Sequence, residues 1–473
     1  MAHPAKGKSI ELKRRLSVID AGALVTGTVI GTGIFLVPST IAREVGSVGG
    51  VFLVWLIGGL LSVAGALSYA ELGAAFPEAG GEYVFLRRAY GPLWGFLFGW
   101  QQVVIGKSGG IASLATAFAL FLGFFLDGVQ EDWVRLSIGQ VVWTLTGIQS
   151  IALASILALT ALNYLGIAVG GAVQSILMML KVAAILVLVF LAFGAGEGTW
   201  AHFYAKPEGA SDAADRWVGF AAALAAALWA CDGWNNLTMV GAEIHDPHTT
   251  IPRVLILGML GVMIIYGLTN VAYFYVLPLN AVIQSERVAQ DVAAIAVGHW
   301  GGTAITLAAA VSTLGSLNGA ILTGARVSYA MARDRLFFRH MADLNPIHHT
   351  PAKALLLQCL FACGLILILG HHEHAFERLF DYAIFGTWLF YGITALAVIV
   401  LRYRQPNLPR PYCTLGYPWV PLIFFLLAGA FCLSMILRRP QETGLGLTLL
   451  AAGLPFYGYW RFFTQKIDPS GKP

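Results

Sequence analysis

Charge is scarce in this sequence. Only 11% of its 473 residues are Asp, Glu, Lys or Arg, where a soluble chain carries roughly 25%. That shortage sets aside a water-soluble enzyme, a nucleic-acid binder and a disordered scaffold. The 29 basic and 25 acidic residues leave a formal net charge of +4, too small to mark a polyanion binder. Cysteine is scarce too. Cys231, Cys359, Cys363, Cys413 and Cys432 form no CxxC pair and lie mostly in apolar stretches. Neither a disulfide framework nor a zinc site is expected from them. The HExxH zinc signature and the P-loop of ATP-driven pumps are missing, as is the repeated polar filter a channel would need. No catalysis, metal or cofactor is expected. His371-His372-Glu373-His374 reads as a solvated run in a connection.

What the sequence has is apolar length. Hydrophobic residues make up 58% of it, with 54 Gly and 13 Trp. Small residues let helices approach closely in lipid, and Trp favours its interfaces. A bilayer core takes about 20 apolar residues per helix. Twelve such runs are predicted: 17–38, 49–72, 92–126, 141–162, 167–195, 217–240, 254–277, 303–331, 352–370, 379–401, 419–437 and 445–463. The polar and basic stretch up to Arg15 precedes a run too long for a signal peptide, so that run is expected to stay as an uncleaved first span. Most Lys and Arg residues fall on alternate connections, which predicts both termini in the cytoplasm of a cell-membrane protein.

Two of the runs are interrupted. The first holds Gly27-Thr28-Val29-Ile30-Gly31-Thr32-Gly33. Each glycine costs a helix about 1 kcal/mol relative to Ala, and backbone groups freed in lipid need protein, water or ligand. Close helix packing would use the same residues. The sixth run holds Trp229-Ala230-Cys231-Asp232-Gly233-Trp234-Asn235-Asn236, where a mid-membrane Asp calls for a partner or a cavity. Runs one and six begin successive groups of five, which odd spacing places in opposite orientation. Interrupted helices at corresponding positions of inverted halves point to a transporter site. Half-helix N-termini suit an anion and half-helix C-termini a cation. An α-amino acid carries both.

At these residues the sequence resembles the amino acid–polyamine–organocation transporters, and within them the L-type, bacterial exchanger-like branch. The resemblance is carried by Gly31-Thr32-Gly33-Ile34-Phe35, Tyr69-Ala70-Glu71-Leu72, Gly80-Gly81-Glu82-Tyr83, Trp229 to Asn236, Ile251-Pro252-Arg253 and Asn318 to Arg326. It implies an all-α integral membrane fold of twelve transmembrane helices. These form a LeuT-type 5+5 inverted repeat (17–195 and 217–402) and two peripheral helices (419–463), between cytoplasmic tails at 1–16 and 464–473. It implies amino-acid transport by alternating access, with a polyamine or organic-cation carrier of the same fold as the alternative. The backbone of Gly31, Thr32 and Gly33 would bind the substrate carboxylate. Carbonyls around Ile30, Trp229, Ala230 and Asp232, beside Gly233, would hold the ammonium. Trp229 stands at the aromatic gate, where Phe is usual, and Cys231 where Tyr is frequent.

Lys181 falls near the middle of the fifth run. The resemblance implies that its ammonium takes the place sodium occupies in sodium-coupled members of the fold, bridging carbonyls of the first helix and a hydroxyl of the eighth: Ser312, Thr313 or Ser316. Sodium-independent exchange and proton symport both fit. The charge of Asp232 favours neutral or cationic substrates over acidic ones. Lys107, in the third run, is expected to make a structural pairing, with a second positive site near the permeation path as the alternative. The expected partners are a small amino acid and membrane lipid, and no nucleic acid. Residues 127–140 hold no cysteine, so no disulfide-linked ancillary subunit is expected.

Overall fold

In hydrocarbon a backbone must satisfy its own polar groups, and a single chain of long apolar runs does so as helices. The computed structural model describes residues 11–138, 141–204, 213–369, 375–438 and 440–462, and it is overwhelmingly helical. The tract at 371–374 and the tail at 464–473 lie outside the described residues. In chain order the helices are α1 (Val18–Val29), α2 (Gly33–Val45), α3 (Val48–Ala75), α4 (Glu82–Tyr90), α5 (Pro92–Gln101), α6 (Lys107–Leu122), α7 (Gly147–Tyr164), α8 (Ile167–Gly194), α9 (Ala213–Ala230) and α10 (Asn236–Met239). They continue as α11 (Pro247–Val276), α12 (Leu279–Gln284), α13 (Val288–Val297), α14 (His299–Arg333), α15 (Ala352–Leu369), α16 (Ala375–Arg404), α17 (Trp419–Arg438), α18 (Pro440–Ala451) and α19 (Gly453–Phe462). Among the described residues, nine helical segments are long and apolar enough to cross a membrane, with Val18–Val45 counted as one. The chain is a multi-pass membrane protein.

Three predicted runs differ in form. The sixth stops being helical at Ala230. The twelfth is divided by a turn at Ala452 into α18 and α19. The fourth does not begin as helix: β1 (Asp132–Ile138) and β2 (Val141–Thr146) pair antiparallel before α7. Val141-Val142-Trp143-Thr144 is a β-favouring sequence. Thr146 and Gln149 then form a reciprocal capping box that fixes the helix start at Gly147.

Packing sorts each helix into a lipid face and a protein stripe. On α8, Ile176, Met179, Leu180, Val187 and Phe190 are exposed, as a bilayer permits. Gly170, Gln174, Lys181, Ile185, Leu188 and Ala192 are buried at helical spacing against α1, α11 and α14. At one end of the bundle the chain before α1 bonds the chain after α10: the Arg15 and Leu16 amides donate to the Glu243 carbonyl and the His245 amide to that of Leu16. The Glu243 carboxylate is in turn gripped by both Arg326 Nε and Nη2, at 2.8 and 2.9 Å, with both side chains buried.

Candidate functional site

The two interrupted runs break where the glycines predict. Residues 30–32 separate α1 from α2, and residues 231–235 separate α9 from α10. Gly233 has φ +112°, and a Cβ there would lie 3.2 Å from the Thr28 carbonyl carbon. Conformation and space both require glycine at that point. At Gly33 a Cβ would come within 2.6 Å of the Ala230 Cβ, so this glycine lets α2 and α9 meet. The breaks are also bonded to each other. Thr28 Oγ1 donates to the Gly233 carbonyl at 3.0 Å. The Tyr266 hydroxyl, on α11, lies 3.0 Å from both the Val29 and the Ala230 carbonyl oxygens.

Between the breaks lies a cavity of about 160 Å³. Gly31, Thr32, Gly33, Trp229, Ala230, Asp232 and Gly233 all line it, as does Ser316. Ile30 does not; its carbonyl is turned to Lys181 and Ser312. Of the expected ammonium-binding carbonyls, that of Ile30 is fully engaged by Lys181 and Ser312, whereas that of Trp229 accepts from the Asp232 amide and that of Ala230 from Tyr266. The Trp229 and Ala230 carbonyls each keep one lone pair. Asp232 is the nearer match for a cation. Its carboxylate faces the cavity and accepts from the Tyr391 hydroxyl at 2.9 Å. Trp229 also lines a second cavity, of about 280 Å³, with Ala226, Ile384 and Phe431, so this residue borders both.

Lys107 enters the same cavity. A single π-helical turn, Gln102–Gly106, separates α5 from α6, the kind of wide turn that recurs at functional sites. Immediately after it, Lys107 Nζ donates to Asn236 Oδ1. Behind Asn236, Asn235 Nδ2 donates at 2.5 Å to Glu82, which is fully buried at the start of α4. Burial pushes the Glu82 carboxyl up to about 7. Gly106-Lys107-Ser108-Gly109-Gly110 has the GxSxG spacing of a hydrolase nucleophile. Ser108, however, is buried in helix and donates to the Val103 carbonyl at 2.6 Å.

Lys181 is not among the residues that line that cavity. Its ammonium donates to the carbonyls of Gly27 at 2.8 Å, Ile30 at 2.6 Å and Ser312 at 2.7 Å. Of the three α14 hydroxyls expected nearby, that of Ser312 donates to Ile30 and Gly31, and that of Ser316 lies 3.3 Å from the Gly27 and Thr28 carbonyls. Thr313 bonds its own helix at Ala309. The eighth helix therefore meets Lys181 through a main-chain carbonyl. Sequence reasoning missed Tyr266, Tyr391 and the Lys107–Asn236 pair. All join segments more than thirty residues apart, and only a polar residue inside an apolar run could have flagged them.

A helical bundle whose first and sixth runs open onto a shared polar cavity defines a membrane protein built around a binding site at the helix breaks. The chain matches the family model described as amino acid permease over residues 16–449. It belongs to that family, within the amino acid–polyamine–organocation superfamily of membrane amino acid transporters. It is 32% identical to the serine/threonine exchanger SteT of Bacillus subtilis over 94% of this chain and 96% of that protein. Identity to the b(0,+)-type amino acid transporter 1 of Mus musculus is 29%, over 98% and 92%. To the cystine/glutamate transporter of Homo sapiens it is 28%, over 98% and 88%.

Proposed function

We propose that this chain is a secondary active transporter of amino acids that works by alternating access and without sodium. Twelve spans would form two inverted five-helix repeats and two peripheral helices, with both termini cytoplasmic in the cell membrane. The observation that carries the reading is the pair of facing helix breaks around one cavity. The start of α2 offers amide groups with no preceding helical carbonyl, suited to a carboxylate. Asp232 and the second lone pairs of the break carbonyls suit an ammonium. The Lys181 ammonium sits where a coupling cation would otherwise bridge α1 and α14, which supports sodium independence. Exchange and proton symport both remain consistent with it.

Lys107 refines the substrate. With Asp232 and Lys107 both on the cavity wall, a neutral zwitterion meets the best balance, a cationic amino acid a tolerable one and a polycation an opposing charge. This favours amino acids over polyamines. The reading includes no disulfide-linked subunit and no cofactor. Its test is uptake of radiolabelled serine, arginine and glutamate into proteoliposomes, with and without internal amino acid, a pH gradient and sodium. Saturable serine uptake, raised by internal amino acid or an acid gradient and unaltered by sodium, is expected. Sodium-dependent uptake, preference for glutamate or unsaturable flux would overturn it.

A further inference from the structure

On the far side of the sixth-helix break lies a different cavity, of about 290 Å³, between α3 and α11. Phe52, Trp55, Leu56 and Gly59 line it from α3, Met263, Tyr266 and Gly267 from α11, and Cys231 from the break itself. The lining is almost wholly apolar. Its rim is the lipid face of both helices: Leu56 is 52% exposed and Ile264 63%, and both helices are membrane spans. The surrounding solvent at this mouth is therefore hydrocarbon. The space exists because two side chains are small or missing. At Gly267 an added Cβ would meet nothing within 4 Å, and Cys231 stands where the resembled family often carries Tyr.

Left empty, a void of this size forfeits the dispersion contacts of all its lining atoms. A closed apolar cavity of about 150 Å³ is already large enough to take up benzene. Water is a poor occupant, because it needs two to four polar partners. One polar group is nevertheless unspent. The indole N–H of Trp55 is buried with no hydrogen-bond partner among the described residues, although its ring lines the cavity and packs edge-on against Tyr266 at 5.2 Å. A hydrocarbon chain that bears a carbonyl oxygen near one end satisfies both features.

We propose that this cavity is a binding site for one acyl chain of a membrane phospholipid, entering between α3 and α11 with its ester carbonyl toward Trp55. The floor of the site is Cys231 and Tyr266. Cys231 belongs to the break in the sixth run, and Tyr266 is the residue that holds the Val29 and Ala230 carbonyls together. A seated chain thus backs the same broken segment whose opposite face lines the polar cavity.

The test uses the full chain in phosphatidylcholine vesicles doped with a phosphatidylcholine that carries a photoactivatable diazirine on its acyl chain. After irradiation, adducts are mapped by peptide mass spectrometry. The expected result is labelling of the 52–59 and 263–267 segments severalfold above that of the lipid-facing stretch around Phe190, which is 77% exposed. Gly267→Phe should remove the excess and leave labelling around Phe190 unchanged. Gly267→Leu, a milder filling of the same open space and a gain in helix propensity, serves where the larger side chain impairs folding. Labelling no greater than around Phe190, or an excess that survives both substitutions, would overturn the proposal.

Discussion

Among the described residues, Lys181 is buried in this bundle and Lys107 half-buried, and they are held in opposite ways. Lys181, 1% exposed, has no carboxylate paired with it among the described residues; three main-chain carbonyls from α1, the first break and α14 surround its ammonium. Lys107 lies on the cavity wall, bonded to an Asn236 side chain and flanked by Asp232 and Glu82. A cation bound to backbone fixes where backbone goes. A cation bound to side chains in a cavity adjusts what the cavity will accept. The first lysine reads as a conformational tie between helices that alternating access must move, and the second as part of the substrate's electrostatic surroundings.

The sharpest way to break this contrast is to remove the tie. Lys181→Ala deletes three charge-assisted bonds, each about 1.5–3 kcal/mol, and leaves the Gly27, Ile30 and Ser312 carbonyls with only serine hydroxyls as side-chain donors. Serine uptake into proteoliposomes should fall by about 100-fold or more. Wild-type-like uptake in that variant would remove Lys181 from the mechanism. Lys107→Ala should act differently. It should leave serine uptake measurable and raise arginine uptake relative to serine by about tenfold, since the cavity loses a positive charge that opposes a cationic side chain. An unchanged arginine-to-serine ratio would show that Lys107 is structural. A smaller effect is expected from Tyr391→Phe, which removes the donor to Asp232. The KM for serine should rise by about threefold, within the worth of a single hydrogen bond.

The contrast was half legible in the sequence. Gly31 and Gly233 advertise the breaks because they weaken a helix at corresponding places of the first and sixth runs, which close packing alone does not require. Lys181 advertises itself because a lysine deep in a run of Leu, Met and Val has nowhere to snorkel. The run containing Asp232 likewise required a cavity or a partner, and the structure supplies both. Other features were not legible. Lys107 reads as structural until the π-helical turn before it sets it on the cavity wall, and a π turn leaves no mark in periodicity. Tyr266 and Tyr391 look like ordinary core aromatics until their hydroxyls are seen on the break carbonyls and on Asp232. The Val141–Thr146 strand was lost inside a hydropathy window that scores β-branched residues as membrane-like.

Glu82 offers the finest test, because it stands behind the Lys107 side of the comparison and outside the membrane spans. Asn235, Lys107, Asp232, Tyr69 and Tyr391 are polar and ionisable groups that act on it. Burial raises its carboxyl from the ordinary 4.5 to about 7 in the folded chain. The folded state therefore holds this proton more tightly than the unfolded state does. Stability from that source is full below about pH 4.5, declines as pH climbs toward 7, and is level above. Glu82→Gln keeps an acceptor for Asn235 and abolishes the titration. Thermal unfolding of the purified protein should show the variant close to wild type at pH 5 and clearly more stable at pH 8. Parallel melting curves across that range would mean that Lys107 neutralises Glu82 fully, and that the two cationic sites are less different than their partners suggest.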